Sequence, residues 1–172
     1  GGFAGMRDAD EEKVDYQDEW QITYHKEDST SWPVDAPVGY PLKNREDWNN
    51  YDVPDINKPG RLEQINIAVR KAAEYKMAVI GGIRGPFTPT WLLFGYENFS
   101  ATLYEDPDLL DEVLTQITDF YIAGGQMMAE AEVDAILFAD DYGSSAGPLM
   151  SPRHFRKHIW PQLARLVKAI HD

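Results

Sequence analysis

The 172-residue chain carries 16 Lys and Arg against 29 Asp and Glu, a formal charge of −13, with 43% hydrophobic and 12% aromatic residues. That composition describes a globular protein, and the charge argues against nucleic acid or an anionic membrane surface as a partner. Cysteine is absent, which excludes disulfides and thiolate metal sites within the chain and leads us to expect a cytoplasmic setting. No apolar run reaches membrane-spanning length.

Residues 1–18 form an acidic lead-in that includes Asp8, Asp10, Glu11 and Glu12. Gln21 and Thr23 then alternate with Ile22 and Tyr24, so Glu19–His25 reads as a strand, antiparallel or at an edge. Residues 29–60 hold Pro33, Pro37, Pro41, Pro54 and Pro59 and read mostly as loop, with at most a short helix around Arg45–Tyr51. Trp32, Tyr40, Trp48 and Tyr51 in this stretch call for burial against a larger body. Arg61–Lys76 predicts a helix with Leu62, Ile65, Val69 and Ala72 on one stripe.

Met77–Ile80 predicts a buried strand, followed by Gly81-Gly82-Ile83-Arg84-Gly85-Pro86. The glycine spacing matches neither phosphate-binding signature, so these glycines are expected to turn the chain off the sheet. Phe87–Tyr96 is apolar and aromatic, suited either to a pocket mouth or to the core. Asp106-Pro107 opens the clearest helix, with Leu110, Val113, Leu114, Ile117, Tyr121, Met128 and Ala131 on its buried side. Gly124-Gly125 inside it suggests a close packing contact.

Ala135–Ala139 is an unbroken apolar run, the pattern of a strand buried on both faces. It ends at Asp140, Asp141 and Tyr142, followed by a Gly- and Ser-rich turn. Ser151-Pro152 is a helix start, with Phe155, Ile159, Leu163, Leu166 and Ile170 on the apolar side and Pro161 splitting the helix after Trp160. Strand, acidic strand end, loop and capped helix is the order in which α/β folds carry their chemistry. Asp140 and Asp141 are therefore the candidate catalytic residues, and Arg84 is the one cation at a strand end. His154 and His158, four apart, have a spacing that can share a metal, but Arg153, Arg156 and Lys157 surround them and a surface helix is expected.

The order of elements is that of an α/β protein with parallel strands. An eight-stranded barrel needs about 250 residues, so the whole chain, 1–172, is expected to be a fragment supplying part of a (β/α)8 TIM barrel. If the chain ended at 172 residues, a half-barrel with open strand edges should self-associate, so a homo-oligomer is a candidate.

Several motifs, in order, carry a resemblance: Asp18-Glu19-Trp20, Pro41-Leu42 with Glu46-Asp47-Trp48, Gly85-Pro86-Phe87-Thr88, Gly95-Tyr96-Glu97-Asn98-Phe99, Asp106-Pro107, Val133-Asp134, Asp140-Asp141, and Gly147-Pro148-Leu149-Met150-Ser151-Pro152 through Pro161. In this order the chain resembles the uroporphyrinogen decarboxylase superfamily, which also contains cobalamin-linked methyltransferases. The N-terminal arginines and pyrrole-gathering aspartate of true decarboxylases lie upstream of this chain or are not recognisable in it. Their tyrosine after the Gly-Pro-aromatic-Thr segment is replaced by Trp91-Leu92, and their strand-end serine corresponds to Asp140.

The Gly85 and Gly95 motifs are similar to the methyltransferase branch. What the resemblance implies is corrinoid-dependent methyl transfer or O-demethylation of a small methylated substrate, with a corrinoid protein as a possible partner. Zinc, held in that branch by a His-x-Cys pair and a later cysteine, would find its ligands outside this chain, and no metal ligand is assigned within it. Substrate contacts are expected from Arg84, Phe87, Thr88, Trp91 and Tyr142. A cofactor-free decarboxylase of tetrapyrrole biosynthesis and a non-catalytic small-molecule-binding barrel are the alternatives.

Overall fold

The computed structural model describes residues 15–26 and 35–172; most of the acidic lead-in, and Trp32 and Pro33, lie outside them. In chain order the elements are β1 (Asp15–Gln17), β2 (Thr23–Lys26), β3 (Asp35–Gly39), α1 (Arg45–Asn49), α2 (Glu63–Tyr75), β4 (Ile80–Arg84) and α3 (Phe87–Phe94). There follow α4 (Tyr96–Glu105), α5 (Pro107–Glu130), β5 (Ala135–Ala139), β6 (Gly143–Ser144), β7 (Gly147–Pro148), α6 (Pro152–His154), a π-helical turn at Phe155–Ile159 and α7 (Trp160–His171). They fall into two compact units, one of the described residues up to Pro54 with Thr90–Val113, the other of Asp55–Pro89 with Leu114–Asp172. Among the described residues no helix is long and apolar enough to cross a membrane.

The first unit holds an antiparallel sheet in the order β1-β2-β3. The strand expected at Glu19–His25 begins only at Thr23 and lies at the centre of the sheet, not its edge. Asp18 is the reason: its Oδ1 accepts the N–H groups of Trp20 and Ile22, both at 3.0 Å, and closes a turn in which Gln21 takes a φ of 59°. The region expected to be loop contains β3, which admits Pro37 because an edge strand tolerates a missing N–H, here beside a register shift at Thr23/Tyr24. Helix α1 forms where expected. Asn44 caps it, accepting from Glu46 N–H at 2.8 Å and Asp47 N–H at 3.1 Å.

Trp48 and Tyr51 stack at 5.8 Å and are half-buried. The Arg45 guanidinium donates to both oxygens of Asp106 (3.0 and 2.8 Å) and to Glu112 at 2.8 Å. This fork holds the Asp106 carboxyl below the usual aspartate range, while Asp106 also accepts the Leu109 N–H and so caps α5. Leu42, Leu93, Phe94, Phe99, Leu110 and Val113 form this unit's core.

Asp18 lends itself to a pH test. Burial pushes its carboxyl above the usual value near 3.8, outweighing the N–H groups of Ile22 and Trp20 and the Tyr24 hydroxyl, which favour the charged form. A folded-state value above the unfolded one means stability is highest at acid pH and is lost as pH rises through the folded value. Asp18→Asn keeps an acceptor for both N–H groups and removes the buried charge. We expect it to raise the urea midpoint at neutral pH and to leave it unchanged at pH below the ordinary aspartate range; a loss at neutral pH would contradict this account.

In the second unit β4 and β5 pair in parallel, from Ile80 opposite Ala135 to Arg84 opposite Ala139. The strand expected at Met77–Ile80 thus starts at its last residue and runs through the glycines expected to turn. A Cβ on Gly81 would stand 2.6 Å from Met128 Sδ of α5, so glycine here lets strand and helix approach. Gly125 plays the same part on α5, where a Cβ would meet Ile170 Cδ1 at 2.7 Å and Ile83 Cδ1 at 3.7 Å, the close contact suggested by the glycine pair.

Strand β5 is not buried on both faces, as its sequence suggested. Leu137 is 62% exposed and Ile80 on β4 is 66% exposed, because among the described residues these strands pair only with each other and helices cover one face. For the same reason the α2 stripe of Leu62, Ile65, Val69 and Ala72 is half-buried, not fully buried. Leu114, Ile117, Tyr121, Met128, Ile159 and Leu166 are the core, and Arg165 to Asp119 (2.5 Å) and Gln162 to Thr115 (3.0 Å) join α7 to α5 at its rim.

Ser151 caps α6, its Oγ accepting the His154 N–H at 3.3 Å, with Pro152 at the first position. Pro161 disturbs the helix one turn before the point expected: lacking an N–H and crowding the preceding turn, it is accommodated by the wide turn at Phe155–Ile159. That turn contradicts the surface-helix expectation for His158, which is 2% exposed. His154 and His158 lie with ring centroids 6.2 Å apart. Phe155, Leu163 and Ile170 are half-buried.

Candidate functional site

The parallel strands end side by side, and the groups singled out at their ends meet there. Gly85 N–H donates to the Ala139 carbonyl at 3.2 Å, carrying the ladder one step past β4. Asp140 then turns its carboxylate onto the first residues of α3: Oδ2 accepts the Phe87 N–H at 2.9 Å and Oδ1 the Thr88 N–H at 2.6 Å. In return Thr88 Oγ1 accepts the Asp141 N–H at 3.0 Å. A helix start has unsatisfied N–H groups and a positive dipole end, so a carboxylate from the neighbouring strand caps it as a side chain of the preceding residue otherwise would. Gly85 has no side chain because any Cβ would overlap the Asp140 carboxylate.

This clamp separates the two aspartates. Asp140 is half-buried and both of its oxygens hold backbone. Asp141 is exposed, and its carboxylate makes no hydrogen bond or ion pair among the described residues. Tyr142 follows, half-buried, its ring 5.8 Å from Phe87 and edge-on to Phe155 at 5.1 Å. Its hydroxyl is buried without a well-aligned hydrogen bond. Burial first, and then the Asp140 charge, push the phenol well above its usual range, so it stays protonated and can only serve as a neutral donor or acceptor.

Of the residues expected to meet substrate, Arg84, Thr88, Asp140, Asp141 and Tyr142 cluster at the strand ends. Phe87 joins them but is 1% exposed, so its side chain is packing. Trp91 belongs with the other unit, where its ring lies edge-on to Tyr96 at 6.1 Å; its Nε1 is buried with no hydrogen-bond partner among the described residues. Sequence reasoning missed Gly85 and Phe155 as parts of the site. A glycine just before Pro86 and a helix start was the available signal for the first; Phe155 looked like any other member of an apolar stripe.

The zinc ligands that the resemblance implies are expected outside this chain. Cysteine is absent from it, and among the described residues no group of three or more His, Asp or Glu side chains could hold a metal ion.

The chain has relatives among known proteins. The chain is 32% identical over 114 residues to a methylcobamide:CoM methyltransferase, MtaA, of Methanosarcina barkeri, covering 66% of this chain and 33% of the relative. It is 28% identical over 142 residues to a methylated-thiol–coenzyme M methyltransferase of Methanosarcina mazei, covering 79% and 38%. A uroporphyrinogen decarboxylase of Syntrophotalea carbinolica is 26% identical over 125 residues, covering 69% and 35%. The chain thus spans little more than a third of the curated relatives it matches.

A solved methyltransferase from Methanosarcina mazei superposes with a TM-score of 0.71 at 24% identity, over 89% of this chain and 45% of that one. That likeness shows the fold, part of a (β/α)8 barrel. The sequence pattern of the uroporphyrinogen decarboxylase (URO-D) family matches residues 33–172, and the chain belongs to that family.

Proposed function

We propose that the protein containing this chain transfers a methyl group between a corrinoid and a small methylated substrate. The observation that carries the reading is that two methyltransferases, one named for methylcobamide and one for a methylated thiol, are among its relatives. The strand-end groups suit such a reaction. Loss of a methyl group leaves a thiolate or alkoxide that must gain a proton or be held as an anion. Asp141, whose carboxylate is uncommitted, is the group here that could exchange that proton. The corrinoid is a substrate that supplies or receives the methyl group. The work of this chain's own residues is to bind and orient the other partner, and the clamp through Thr88 fixes where Asp141 leaves the sheet.

The second reading, decarboxylation of a porphyrinogen, draws on the family's name and on the decarboxylases among the relatives. One experiment separates the two. The protein as encoded is given methylcobalamin with coenzyme M, and separately uroporphyrinogen. We expect the methylcobalamin absorbance to decay only when protein and thiol are both present. Carboxylate loss from uroporphyrinogen without that decay would overturn the methyl-transfer reading, and inertness in both would favour a binding barrel.

A further inference from the structure

We propose that Arg84 is the anchor of an anion subsite on the face of β4 and β5 that points away from α5, taking one carboxylate, sulfonate or phosphate group of a small molecule. The faces of β4 are distinct. Gly81 and Ile83 are buried and meet Met128 and Gly125 of α5, whereas Ile80, Gly82 and Arg84 alternate onto the opposite face. Arg84 is half-buried there, yet makes no hydrogen bond or ion pair among the described residues, in a chain with 29 carboxylate side chains. Asp140, the nearest carboxylate along the neighbouring strand, is not available to it, because both oxygens are engaged by α3.

Among the described residues, the neighbours of Arg84 on this face are small. Ala139 stands opposite it in register, and Gly82, two residues back on the same face, has nothing within 4 Å of where a Cβ would be. A half-buried guanidinium without a partner is costly, and its planar fork matches an oxyanion in two parallel hydrogen bonds. Small residues around an unpaired arginine at the C-terminal end of parallel strands therefore describe a place for an anionic ligand group. That the ligand is a substrate of methyl transfer rests on the function proposed above; the binding of an anion does not.

Titration calorimetry with benzoate, ethanesulfonate and inorganic phosphate, on the protein as encoded, tests this. At least one anion should bind, Arg84→Gln should weaken it about tenfold or more, and Arg84→Lys should fall between, since lysine keeps charge but loses the fork. Gly82→Val adds a strand-favouring side chain to the same face without altering charge. It should fold and still lose comparable affinity, and it decides the matter if Arg84→Gln does not fold. Binding of no anion, or equal binding by wild type, Arg84→Gln and Gly82→Val, would overturn the subsite whatever reaction the protein performs. Arg84-dependent binding in a protein inert toward methylcobalamin would keep the subsite and remove the methyl-transfer reading.

Discussion

Replacing Asp140 with alanine is expected to destabilise the protein by about 3 kcal/mol. Two backbone N–H groups at the start of α3 lose charge-assisted bonds of 2.9 and 2.6 Å. A helix cap alone is worth about 1 kcal/mol, and a buried donor left without a partner costs about 1–3 kcal/mol. Asp140→Asn retains one acceptor oxygen but turns an amide N–H toward the second donor, so roughly half of the loss should remain. Asp141→Ala, at an exposed carboxylate with no bond to lose, should stay within about 0.5 kcal/mol of wild type. Urea midpoints of the three variants check this. Near-equal midpoints for Asp140→Ala and Asp141→Ala would mean that the clamp is not what holds the strand ends.

Phe87→Ala should be at least as damaging, at about 3–5 kcal/mol. The ring is buried against Tyr142, and removing it leaves a cavity directly beneath the clamp. Phe87→Leu, which restores most of the volume, should recover more than half of that loss. The comparison bears on function as well as on stability. A substrate-contacting phenylalanine would change KM in the leucine variant with little effect on the midpoint, whereas a core phenylalanine should lower the midpoint and leave KM close to wild type.

The strand-end groups were legible because their signals are local. Asp140 and Asp141 follow an apolar run, Ser151-Pro152 is a capped helix start, and Asp106-Pro107 is another; each appears where the pattern puts it. What the sequence hid depends on partners distant along the chain. That Asp140 also caps α3 could not be read from the sequence, because the N–H groups of Phe87 and Thr88 that it accepts lie 53 and 52 residues away. Gly81-Gly82 looks like a turn because nothing nearby in sequence announces Met128. His158 looks exposed among Arg156 and Lys157 because the regular helical period does not anticipate a wide turn, and one extra residue in that turn moves which side chains face inward. Pro37 looks like a loop residue because edge strands, where proline is admissible, are defined by the rest of the sheet.

The parallel pairing of β4 with β5 also sets the order in which the molecule assembles. Val79 and Asp134, joined at the entry to that pair, are 55 residues apart, and no tight hairpin can bring parallel strands together. Closing so long a loop is entropically unfavourable until the intervening α3, α4 and α5 have shortened it. The bonds from Asp140 to α3 are then expected to form after the barrier and not before it. In stopped-flow experiments Asp140→Ala should accordingly unfold faster while refolding at nearly the wild-type rate. The clamp would thus govern how long the native protein lasts more than how quickly it is reached.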